Sequence, residues 1–199
     1  MHTKTALIVL MTLAGAAQAA GKDGQPEFYI GTTLGVGVVA PRNYDVNDDR
    51  DVDGKLSPGL FAGLRVATVP VGQGWPLFVE GGYQRINRTT AWYKTPSGDT
   101  RLATEGSSAY LAARLAWPMT ERFGLYARLG VARNDAESTT VAGPRVIDIN
   151  GDKTSPLLGF GLEYQFDNGI GLRGDLTSFG KASKNSDIAA INFGVSYRF

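Results

Sequence analysis

The chain has 199 residues, a formal net charge of +1 and a mean hydropathy of −0.12, so it is not built from membrane-spanning helices. It has no cysteine and a single histidine, His2, which excludes a disulfide scaffold. With 20 basic and 19 acidic residues it carries no electrostatic footprint for nucleic acid.

Lys4, the apolar run Ala6-Leu-Ile-Val-Leu-Met-Thr-Leu-Ala14 and the small-residue site Ala17-Gln-Ala19 read as a cleaved secretory signal. The run is well short of the ~20 residues a spanning helix needs. We expect residues 1–19 to be the signal and 20–199 one domain. Lys4 leaves with the signal, making the mature chain net neutral, and so does His2. Nucleophiles activated by histidine and metal sites built on it then drop out, and no cofactor is expected.

Eight alternating stretches follow, each with the period of two that marks a strand whose sides meet different surroundings. About Glu27 to Ala40, Phe28, Ile30, Leu34, Val36 and Val38 oppose Tyr29, Gly31, Thr33, Gly35 and Gly37. About Gly59 to Val69, Leu60, Ala62, Leu64 and Val66 oppose Gly63, Arg65 and Ala67. About Trp75 to Arg88, Leu77, Val79 and Tyr83 oppose Phe78, Glu80, Gly82 and Gln84. Ser107 to Trp117 sets Ala109, Leu111, Ala113 and Leu115 against Tyr110, Ala112 and Arg114. Phe123 to Arg133 sets Leu125, Ala127, Leu129 and Val131 against Tyr126, Arg128 and Gly130. Pro156 to Phe166 opposes Leu158, Phe160, Leu162 and Tyr164 to Gly159, Gly161, Glu163 and Gln165. Ile170 to Phe179 sets Leu172 and Leu176 against Arg173, Asp175 and Thr177. The last, Ile188 to Phe199, opposes Ile191, Phe193, Val195 and Tyr197 to Asn192, Gly194, Ser196 and Arg198.

Connections alternate in length. Those at 70–74, 118–122 and 167–169 are tight, and the last holds an Asn-Gly hairpin signal. Those at 41–55, 89–106 and 134–155 are long and polar. A soluble lipocalin-type barrel would alternate in the same way with its apolar face inward. Three features favour the inverted arrangement. Glu80, Arg114, Arg128, Glu163, Arg173 and Asp175 share one face with glycines, which suits a narrow lumen. Trp75, Trp117, Phe123, Phe166 and Phe199 lie on the apolar face beside short turns or the terminus, where an interfacial aromatic girdle belongs. An export signal leads the chain. The expected fold is all-β: an eight-stranded antiparallel up-and-down transmembrane β-barrel in a bacterial outer membrane, present as a monomer.

Asn192-x-Gly194-x-x-Tyr197-x-Phe199 resembles the C-terminal signal by which the barrel-assembly machinery recognises outer-membrane barrels. Tyr110-Leu-Ala-Ala-Arg-Leu-Ala-Trp-Pro-Met-Thr-Glu-Arg-Phe-Gly-Leu-Tyr-Ala-Arg-Leu-Gly130 resembles the fourth and fifth strands of the OmpA transmembrane domain. Phe78-Val-Glu-Gly-Gly-Tyr-Gln-Arg-Ile-Asn-Arg88, Ser155-Pro-Leu-Leu-Gly-Phe-Gly-Leu-Glu-Tyr164 and Leu172-Arg173 resemble its third, sixth and seventh. The resemblance implies a lumenal ion-pair network of Glu80, Arg114, Glu163 and Arg173, discussed in that family as a gate, and we add Arg128. It implies surrounding lipid and lipopolysaccharide as partners. The chain ends at Phe199, so the family's peptidoglycan-binding domain and cell-wall tethering are not expected to carry over.

The first long connection holds Asp49, Asp51, Asp53 and Gly54, the start of a calcium-loop pattern, but Leu60 stands where its bidentate Glu belongs. A solvated acidic loop is the better reading, and no metal site is expected. Tyr44, Trp92 and Tyr93 leave room for an unidentified surface ligand. The expected function is a structural, loop-presenting barrel with a plugged lumen. The alternatives are a low-conductance gated channel and, more distantly, an enzyme acting on lipid A.

Overall fold

The computed structural model describes residues 27–41, 52–53, 55–72, 74–95, 98–142, 145–181 and 186–199. The strands are β1 (Phe28–Pro41), β2 (Val52–Asp53), β3 (Leu56–Val69), β4 (Trp75–Thr95), β5 (Gly98–Pro118), β6 (Phe123–Ala142), β7 (Arg145–Gln165), β8 (Ile170–Lys181) and β9 (Ser186–Arg198). Each long strand pairs antiparallel with the next, β1 joins β9, and β4 joins β5. The sheet closes on itself as an eight-stranded barrel, with β2 laid on the outer part of β4 through Val52–Ala91 and Asp53–Thr90. Closure leaves no free sheet edge around the barrel wall.

The two faces separate as the alternation requires. Leu60, Leu129, Phe160, Leu176 and Phe193 stand outward, Phe193 with 71% of its surface exposed, while Glu80 on the inner face has none. Leu162 and Phe193 would have to point inward in a lipocalin-type arrangement, and both are exposed. Along β4 the outward face runs from Trp75 at the short-turn end to Arg85. At about 3.4 Å per residue and a tilt near 40° that step covers about 26 Å, the height of a hydrocarbon band.

The short-turn rim is aromatic. Trp75 and Trp117 stack with ring centroids 5.4 Å apart, Tyr164 meets Phe166 edge-on at 5.0 Å, and Phe28, Tyr197 and Phe199 form a chain of ring contacts. Phe123 begins β6 on the same rim. Glu27 accepts from Arg65 at 2.9 Å and pairs with Arg198 at 3.0 Å, tying the first strand to both of its neighbours there.

Two expectations need correction. The polar stretches 89–106 and 134–155 are not simply loops: β4 runs to Thr95, β5 starts at Gly98, β6 runs to Ala142 and β7 starts at Arg145. In these stretches polar residues occupy both faces, so the sequence loses its alternation although the antiparallel ladder continues. Arg133 bonds Asp152 across this extension, and the guanidinium holds that carboxyl below its usual range. Ala67 is exposed and pairs with outward Leu77, not on the inner face as alternation implies. A register shift between Arg65 and Ala67 inserts Val66 as an extra residue, which flips the faces beyond it.

Residues 1–19, expected to be a signal, Tyr44 and most of the acidic stretch 45–54 lie outside the described residues, and only the backbone of Trp92 and Tyr93 falls within them.

Candidate functional site: the charged layer inside the barrel

Strand alternation points Tyr29, Phe61, Phe78 and Tyr126 inward near the short-turn end, where they form one buried cluster with Ala116. One step further along the same strands comes the charge. Glu80 on β4 receives Arg128 Nη1 at 2.8 Å, Arg173 Nη1 at 2.9 Å, Tyr29 Oη at 2.7 Å and Tyr110 Oη at 3.0 Å. Every lone-pair direction of a fully buried carboxylate is thereby used, which is the condition under which burial of a charge is tolerated.

Asp175 on β8 is the second acidic centre. It receives Arg128 Nη2 at 2.6 Å, Tyr126 Oη at 3.0 Å, Thr177 Oγ1 at 2.7 Å and Asn192 Nδ2 at 3.0 Å. Arg173 Nε faces its other oxygen at 3.6 Å, an ion pair too long for a hydrogen bond. Arg128 therefore bridges both carboxylates, and Arg173 lies with its guanidinium carbon 3.4 Å from the centre of the Phe61 ring.

Arg114 and Glu163 form a separate pair. The Arg114 guanidinium rests 4.2 Å from the Tyr126 ring centre and 5.2 Å from that of Phe78, buried, while Glu163 stays partly exposed toward the short-turn mouth. Among the described residues no hydrogen bond joins this pair to Glu80. Glu163 and Arg173 are register partners on β7 and β8, yet Arg173 reaches past it to Glu80. The five charges singled out in the sequence thus divide into Glu80–Arg128–Arg173 and Arg114–Glu163.

Room for the rings comes from glycines directly across the ladder. Tyr110 lies against its register partner Gly82, and Tyr126 against Gly161. A Cβ on either glycine would stand 2.5 Å from a ring carbon. Gly82→Ala is expected to push Tyr110 off Glu80 and cost about 1–3 kcal/mol, readable as a lower urea midpoint for the folded barrel in detergent.

Some partners escape a reading based on charge alone. Asp175 was legible only as one more inward acid, and the hydroxyls of Tyr29, Tyr110 and Tyr126 carried no signal beyond their face. Phe61 sits between Leu60 and Ala62 on the inner side, so alternation could have found it. Asn192, assigned to the assembly signal, also bonds Asp175 from inside the barrel, as an inward neighbour of Gly194. Tyr197 and Phe199 face outward and are exposed.

The sequence profile described as "Outer membrane protein beta-barrel domain" matches residues 5–199. The chain belongs to this outer-membrane β-barrel family. It is 31% identical over 210 residues to outer membrane protein A of Salmonella typhi, covering 98% of this chain and 55% of that protein. It is 30% identical to outer membrane protein A of Shigella flexneri, covering 98% of this chain and 56% of that protein. The chain spans little more than half the length of these relatives. The barrel is similar to Ail, the attachment invasion locus protein of Yersinia pestis, solved with the heparin analogue sucrose octasulfate: TM-score 0.53, 14% identity, 87% of this chain and 99% of that one. Neisserial surface protein A is also similar, with TM-score 0.50, 21% identity, and 86% and 97% covered. Members of this family reside in the outer membrane, which is where the outward apolar band of this barrel is at home.

Proposed function

We propose that this outer-membrane barrel works structurally, as a rigid membrane anchor that presents long β-hairpins and their connections at the cell surface while its lumen stays shut. One observation carries the reading: three carboxylates, Glu80, Asp175 and Glu163, and three guanidiniums, Arg114, Arg128 and Arg173, compensate one another across the lumen. A charge-balanced, hydrogen-bonded layer needs no counter-ion and offers no open polar path. The resemblance of outward Tyr197 and Phe199 to an assembly signal supports recognition of β9 by the barrel-assembly machinery. The exposed apolar band supports a partner surface of lipid and lipopolysaccharide around a single barrel. Catalysis has no place in this reading.

A small gated channel is the second reading. It is favoured by the Arg114–Glu163 pair, hydrogen-bonded apart from Glu80, whose arginine has Nε and Nη1 without a hydrogen-bond partner among the described residues and so has donors to spare for an exchange of partners. Planar-bilayer recordings of the purified barrel beside Glu80→Ala separate the two. The structural reading expects a silent wild type. Unitary currents from the wild type that change in Glu80→Ala would establish the channel instead.

A further inference from the structure

Beyond the charged layer, toward the long-hairpin end, an apolar cluster forms beside buried Ser108, Asn134 and Ser155, whose side chains bond one another or the carbonyls of Phe179 and Lys181. Ile86 on β4, Leu157 on β7, Phe179 on β8 and Ile188 on β9 have between 0% and 2% of their surface exposed, and they pack with Ala112, Ala132, Ala136 and Ala190 in one cluster. These residues come from strands on opposite sides of the barrel, so the cluster crosses the lumen and does not merely line one wall. Tyr110 joins the two levels: its hydroxyl donates to Glu80, and its ring meets that of Phe179 at 6.1 Å. The far side is closed as well, because a Cβ on Gly37 of β1 would meet Ile86 at 3.0 Å. The ladder shifts register directly beside two of the four large residues, between Ile86 and Thr89 and between Ser178 and Gly180. At the second site Gly180 adopts φ 70°, a conformation that lets the strand bend at the bulge that carries Phe179.

From this arrangement we infer that Ile86, Leu157, Phe179 and Ile188 form a dry septum that isolates the charged layer from the long-hairpin end of the barrel. The inference rests on the closed-lumen reading and locates one of its barriers. Ion pairs can exchange partners and admit water between them, since every group involved hydrogen-bonds as well to water as to its neighbour. An apolar constriction whose few polar neighbours already bond one another or backbone carbonyls leaves water and ions no free partners, and it closes by staying dry. Rearrangement of the charged layer alone therefore leaves the lumen shut on this side.

A single cysteine reports on the septum, because the chain has none of its own. Thr177 is fully buried just inside the septum, hydrogen-bonded to Arg128 and Asp175. Thr177→Cys in the otherwise unchanged barrel is expected to resist a charged, membrane-impermeant methanethiosulfonate reagent. The same cysteine should be modified once Leu157→Ser and Phe179→Ser are added, and should stay protected with Leu158→Ser, the lipid-facing neighbour, as control. Heat-modifiable mobility on a gel identifies folded barrels, and Leu157→Ser alone serves if the double substitution does not fold. Rapid labelling of Thr177→Cys in the intact barrel, or continued protection in a folded septum variant, would overturn the septum. Labelling of that kind beside a silent wild type leaves the closed-lumen reading standing, whereas wild-type unitary currents defeat that reading by themselves.

Discussion

Replacing Glu80 by alanine is expected to be the most damaging single change inside the barrel, lowering its stability by roughly 3–5 kcal/mol. The loss comes less from attractions removed than from charges stranded. Arg173 Nη1 at 2.9 Å and Arg128 Nη1 at 2.8 Å both end on this carboxylate, which has no solvent exposure. Arg128 keeps its 2.6 Å bond to Asp175, but Arg173 is left with only the 3.6 Å approach to that residue. Urea unfolding in lipid vesicles, followed by heat-modifiable mobility, measures the effect. Glu80→Gln keeps an acceptor for Tyr29 and Tyr110 and should fall between alanine and wild type. A loss for Glu80→Ala below about 1 kcal/mol, the range of an exposed ion pair, would mean that water reaches the freed guanidiniums.

The second large effect is on the outer wall. Phe160→Arg places a charge midway between the aromatic rim at Phe166 and polar Thr154 on β7, and is expected to cost about 2–4 kcal/mol in a bilayer. Thr154→Arg, beyond the band on the same strand, should cost no more than about 1 kcal/mol. This contrast tests the inside-out arrangement directly. On a soluble barrel an exposed phenylalanine replaced by arginine would be nearly neutral. Equal stabilities for the two variants in lipid vesicles would therefore place the apolar face in water.

The fold was legible because an eight-stranded barrel with lipid on one side and a narrow lumen on the other imposes period two on each strand where it crosses the apolar band. Leu158, Phe160 and Leu162 against Gly159, Gly161 and Glu163 needed no tertiary information to be sorted into two faces. The aromatic residues of the short-turn rim, Trp75, Trp117, Phe123 and Phe166, could be placed there from their positions beside the turns. The hairpin extensions were not, because polar residues on both faces leave no contrast to read. Neither was the bulge at Val66, since an extra residue in a strand shows itself only against its partner.

The candidate site was half legible. Inward charges announce themselves as residues too polar for lipid, which picked out Glu80, Arg114, Arg128, Glu163 and Arg173. Inward apolar residues do not announce themselves by type: Ile86, Leu157 and Phe179 share the inner parity of Gln84, Gly159 and Thr177, but residues of the same kind face acyl chains elsewhere. The sequence by itself determined which side of the strands is oily across the apolar band and where the tight turns fall, since both follow from local residue type and spacing. Only the tertiary structure decided which guanidinium meets which carboxylate and that large apolar residues from four strands meet in one buried cluster above them. Those outcomes depend on the stagger of strands around a closed barrel, which brings together residues 48 or 93 positions apart and cannot be read from any one strand.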